Sequence, residues 1–143
     1  MFSNSVKLLS IKGFGIRIDP SWLVIAALVT WSLSRSFFPQ VFPDADASTY
    51  LAMALLGMLG LFASLLLHEL AHSVVARRSG VPVKNITLFI FGGMAELEAE
   101  PSSAGAEFRI AIAGPLMSLA LAAGFRVLSG TAALLPDAAA LAA

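Results

Sequence analysis

The sequence predicts an α-helical integral membrane protein with about three transmembrane helices and a small β-hairpin at the cytoplasmic membrane face. Three observations lead there. Of the 143 residues, 58% are hydrophobic and only 13% are charged, about half the ~25% charge content of soluble domains. Three apolar stretches each approach the ~20 residues that cross a bilayer. Between the second and third, the pattern changes from continuous apolarity to strand-like alternation.

Composition also removes some function classes. Nine basic and nine acidic residues balance, and no basic patch with interleaved aromatics occurs, so a nucleic-acid partner is not expected. Cysteine is absent, which excludes disulfides and thiolate metal ligands. The length suits one membrane-embedded core over 1–143.

Residues 1–19 are amphipathic, and Ile16-Arg17-Ile18 suits a short strand or an interfacial segment. Asp19-Pro20 reads as a helix start, with Asp19 as cap and Pro20 at the first helical position. The first span is expected over about 20–38, with Trp22 and Trp31 near its ends as an aromatic belt would place them. A cleaved signal peptide is the rival reading. It is disfavoured because the segment starts late and no small-x-small cleavage site follows. Pro39, Pro43, Asp44 and Asp46 mark a polar loop. The second span, about 49–77, carries no charge from Leu51 to Leu67 and stops at Gly80 and Pro82. A hairpin is expected over about 82–100, with Gly92-Gly93 as its turn and Ala95, Leu97 and Ala99 alternating with Glu96, Glu98 and Glu100. The third span is expected over about 107–128, with Glu107 and Arg109 as interfacial anchors. Gly114, Ser118 and Ala122 recur every four residues, a spacing that lets helices pack closely in lipid. Pro115 frees backbone carbonyls there.

Lys7, Lys12 and Arg17 precede the first span, and Arg77, Arg78 and Lys84 follow the second. The positive-inside rule puts both groups, and the N-terminus, in the cytoplasm. The expectation is a multi-pass protein of the cell (inner) membrane in contact with the lipid bilayer.

His68-Glu69-Leu70-Ala71-His72 carries the chemistry. Two histidines four residues apart share a helix face and can grip one metal ion. Glu69, rotated about 100° from His68, can reach a water that the metal acidifies and act as general base. His68 lies nine residues before Arg77, so about 13 Å inward along a continuous helix. Imidazoles and a carboxylate at such depth point to function. A polar cluster bonded to neighbouring helices and a metal-transport or structural metal site are the alternatives. The glutamate favours hydrolysis, because binding alone does not need it.

With these pieces in place, the chain resembles the site-2 protease family of intramembrane zinc metalloproteases, in the bacterial form lacking an inserted PDZ domain. The resemblance rests on Gly15-Ile16-Arg17-Ile18-Asp19-Pro20-Ser21-Trp22, on Leu67 to Ser73, on Phe91-Gly92-Gly93-Met94-Ala95, and on Glu107 to Ser118 with Gly114-Pro115. It implies Zn2+ held by His68 and His72, Glu69 as catalytic base, and substrates that are transmembrane proteins, such as anti-sigma factors or signalling precursors. It also implies that the hairpin around Gly92 and Gly93 presents substrate. Ser118 stands where many members have Asn, and helps the site or simply packs. The family's third ligand is an aspartate in an Asp-Gly motif on a further span. No Asp-Gly occurs here, and Asp137 is the one acidic residue after Glu107. The expectation is therefore an incomplete core, either truncated or a degenerate, non-catalytic binding homologue, completed by a missing C-terminal part or another copy.

Overall fold

The computed structural model describes residues 5–11 and 13–132. Asp137 lies outside them. Two short strands open the chain, β1 (Val6–Ile11) and β2 (Phe14–Ile18). A broken helix follows: α1 (Trp22–Ser32), a π-helical turn (Leu33–Phe37) and α2 (Phe38–Val41). Then come α3 (Ala47–Arg78), β3 (Val83–Phe89), β4 (Gly92–Leu97) and α4 (Ala104–Ala132). Three of these stretches, Trp22–Val41, Ala47–Arg78 and Ala104–Thr131, are long and apolar enough to cross a membrane.

The expected hairpin is there, but it is half of a larger sheet. The strand order is β1-β2-β3-β4, with β2 and β3 parallel and the outer pairs antiparallel. The N-terminal segment therefore supplies two strands, and the strand alternative for Ile16-Arg17-Ile18 holds within β2. Gly13 makes this possible, turning between β1 and β2 at φ 84°, a backbone region that side chains disfavour. A second correction concerns the β3–β4 turn. Ile90 and Phe91 form it, and Gly92-Gly93 begin β4, in register with Phe89 and Leu88. Gly92 has φ 133°, so the glycine pair shapes the strand just past the turn.

The start of α1 is tied to this sheet. Asp19 N–H donates to the Leu88 carbonyl (2.8 Å), and Ile90 N–H donates to Ser21 Oγ (3.3 Å). Asp19 Oδ1 accepts from Ser21 N–H at 2.9 Å, and bonds from the Ser21 hydroxyl and N–H hold its carboxyl below the usual range. The cap thus binds one residue before Trp22 and does not sit directly against the helix. The π-turn precedes Pro39, which has no N–H to continue the ladder. Phe38 N–H reaches back five residues to the Leu33 carbonyl. At the head of α3, Asp46 accepts from Thr49 N–H (2.6 Å), an N-cap in the usual sense.

The buried core lies where the sheet meets the end of α3. Phe14, Ile16, Val81, Val83 and Ile86 pack with Ala76, and Leu70, Val74 and Ile110 close around them. Elsewhere the helices bury little: protein covers 0%, 6% and 11% of the three apolar windows. Side chains such as Leu56, Leu59, Leu119 and Val127 are exposed, and an apolar surface of this extent needs an apolar surrounding.

Candidate metal centre

His68 and His72 project from one face of α3 towards α4, and α4 holds each ring at its Nδ1. His72 Nδ1 lies 2.6 Å from the Ile110 carbonyl oxygen. A carbonyl only accepts, so Nδ1 carries the proton, and in the tautomer this selects the lone pair lies on Nε2. His68 Nδ1 lies 2.8 Å from Ser118 Oγ, which frees the His68 Nε2 in the same way when the hydroxyl accepts. The two Nε2 atoms converge to 3.1 Å.

That separation suits one ion. For ligand distances of about 2.0–2.1 Å, two nitrogens 3.1 Å apart subtend an angle of roughly 100° at a shared cation, close to tetrahedral. Room for it comes from Gly114. A side-chain carbon built there would land on His72 Nε2 and 2.5 Å from His68 Nε2. The absence of a side chain at this buried position keeps the space before both ring nitrogens open. The donor set and the open space thus fit a zinc-type ion.

Glu69 is the next residue round the helix, half-buried against β4. A side-chain carbon at Gly93 would lie 2.7 Å from the Glu69 carboxyl carbon and 2.9 Å from Oε1, so the carboxylate rests directly on the strand's backbone. Gly92 and Gly93 line the same cavity as His68, Glu69 and Ser118, with Phe91 at its rim and Leu121 and Phe125 across it; its volume is about 510 Å³. Five of the six residues singled out from the sequence line this cavity, and His72 adjoins it through its 3.1 Å approach to His68. Sequence reasoning missed the Ile110 carbonyl, which no side-chain pattern reveals, and Ser21, whose bond to the hairpin turn spans 69 positions. Among the described residues, no group of three or more His, Cys, Asp or Glu side chains comes together. Glu96, an acidic residue of β4, is bonded to Asn85 (2.8 Å), and Glu98, just past the strand, pairs loosely with Lys84 (4.0 Å).

Known proteins resemble this chain in sequence and fold. The model of "Peptidase family M50" matches residues 56–136. The chain is 41% identical over 134 residues to "Putative zinc metalloprotease sll0528" of Synechocystis sp., covering 94% of this chain and 35% of that protein. It is 45% identical over 130 residues to "Putative zinc metalloprotease Rip3" of Mycobacterium tuberculosis, covering 91% and 33%. A solved structure, "Site-2 Protease from Methanocaldococcus jannaschii", superposes with a TM-score of 0.64 at 30% identity, over 89% of this chain and 52% of that one. The chain spans about a third of the length of these curated relatives and about half of the solved chain. With a family model matching more than half its residues, and with a shared fold, the chain belongs to peptidase family M50, the site-2 protease family.

Proposed function

We propose that this chain forms the metal-holding part of an intramembrane zinc metalloendopeptidase that cuts transmembrane segments of other membrane proteins. The convergence of His68 and His72 Nε2 at 3.1 Å, beside Glu69, carries the reading. Its relatives' names supply the metal, zinc. The three apolar helices cross the membrane, and the sheet lies on the cytoplasmic side with Arg77, Arg78 and Lys84.

His68 and His72 would hold the ion through Nε2, with Ser118 and the Ile110 carbonyl fixing the orientation of the rings from the other nitrogen. When bound, zinc supplies Lewis acidity that brings a water's pKa near neutrality. Glu69 takes the water's proton and passes it to the leaving amine. Gly93 places the carboxylate by close backbone contact. The outer edge of β4 is unpaired among the described residues, so an unwound substrate segment can add to it as a strand. Phe91, Leu121 and Phe125 keep the surroundings apolar. A third ligand would come from chain of the kind that makes the relatives longer, or from another copy.

One observation favours a second reading, a non-catalytic protein that binds membrane helices: two histidines are the only metal donors gathered here among the described residues. Reconstitution in liposomes with a single-span substrate separates the two. Cleavage by the wild-type chain that disappears in Glu69→Gln supports the protease. Uncut substrate that stays bound to a zinc-loaded wild-type chain establishes the binding protein instead.

A further inference from the structure

On the opposite side of the α3–α4 seam from the site runs a second cavity, about 790 Å³ in volume. Its walls are Leu70 and Val74 of α3 and Ala113, Leu116 and Ala120 of α4. They are apolar throughout, which fits no water-soluble ligand. One lining residue is different. Arg109 lines the cavity, exposed and without a hydrogen bond or ion pair among the described residues. Phe14 lines it too, and the Arg77 guanidinium lies 3.7 Å over the Phe14 ring. One guanidinium, that of Arg109, thus lines an otherwise apolar channel, and a second, that of Arg77, stacks on the Phe14 ring of its wall.

Length narrows the occupant. From Arg109 to Ala120 the helix rises about 16 Å at 1.5 Å per residue. That is about half of the ~30 Å hydrocarbon core, the depth of one leaflet. Basic pockets between transmembrane helices on the cytoplasmic side suit anionic headgroups. We propose that this channel is a binding site for an anionic phospholipid, with one acyl chain along Leu70, Val74 and Leu116 and the phosphate on Arg109. The proposal rests on the membrane-spanning reading above but not on the protease reading.

The test uses the full chain in nanodiscs of phosphatidylcholine doped with phosphatidylglycerol, followed by extraction and native mass spectrometry of retained lipid. The expected result is enrichment of phosphatidylglycerol, reduced about fivefold in Arg109→Ala, the scale of one arginine–headgroup contact. Enrichment should also fall in Ala113→Trp, which fills the channel and leaves Arg109 in place. Unchanged helical circular dichroism in the nanodiscs confirms that each variant is folded. Equal retention of both lipids, unchanged in Arg109→Ala, overturns the site. So does efficient cross-linking of Ala113→Cys between two copies, which would show a second chain in the channel; the parent has no cysteine, so the label is unique. Release of the chain from membranes by alkaline carbonate without detergent would instead refute the membrane reading beneath it.

Discussion

The two cavities beside the α3–α4 seam are built from the same two helices, yet one is a chemical site and the other a channel for something apolar. In the channel, side chains recur at i, i+3 and i+4 from Leu67 to Val75, the ordinary stripe of an amphipathic helix. In the site, the same periodicity brings His68 and His72 together, but three small residues do the rest. Gly114 and Gly93 let backbone approach the rings and the carboxylate, and Ser118 supplies a hydroxyl at 2.8 Å. The lesson is that the site depends on missing side chains as much as on the titratable ones. The channel tolerates exchange because lipid tails are as apolar as leucine.

The strongest way to break this contrast is Gly114→Ala. The added methyl falls on both Nε2 atoms, so zinc affinity should fall by more than the roughly 100-fold typical of losing an orienting partner. Stability should drop by about 1–3 kcal/mol from overpacking. Competition with a chromogenic chelator reads the first and detergent-solution unfolding the second. Gly93→Ala comes next. Its methyl displaces the Glu69 carboxylate, so cleavage should fall about 10²–10⁴-fold, the range of general-base catalysis, while zinc stays bound. Ser118→Ala should weaken zinc about 10–100-fold by releasing His68 Nδ1, and Ser118→Asn should restore it; an unaltered affinity in the alanine variant would make Ser118 a packing residue only. On the channel side, Leu116→Ala should change stability by less than about 1 kcal/mol and leave zinc untouched.

The smallest effect concerns Asp46. Its bond from Thr49 N–H, and then the Ser48 hydroxyl, hold its carboxyl below the usual range. The depressed value means that the cap helps the folded state above the ordinary carboxylate pKa and is lost as pH falls through the lowered one. The protection factor of the Thr49 amide, its exchange corrected for the intrinsic pH dependence, should therefore fall on acidification, while protection in the α3 segment bearing His68 and His72 should not follow that titration.

Much of this was legible in the sequence, and what was not had physical reasons. Spans show in local apolarity, and the expected 49–77 and 107–128 lie inside α3 and α4. The pattern His68-Glu69-x-x-His72 is a helical spacing, so it could be read directly. A strand at Ile16-Arg17-Ile18 could be read as one alternative, but β1 and the pairing of β2 could not. Val6, Leu8 and Leu9 are all exposed, so no alternation marks β1, and β2 finds its parallel partner about 70 residues away. The turn at Ile90-Phe91 was misplaced because a glycine pair signals positive φ without saying which side of the turn it serves.

The central claim is that His68 and His72 hold one zinc ion that Glu69 serves but does not bind. Metal analysis of the purified chain, alongside His68→Ala, His72→Ala and Glu69→Gln, tests it directly. The account predicts one zinc per wild-type chain, its loss in either histidine variant and its retention in Glu69→Gln. A wild-type chain that takes up no zinc, or zinc that persists when both histidines are gone, would contradict it.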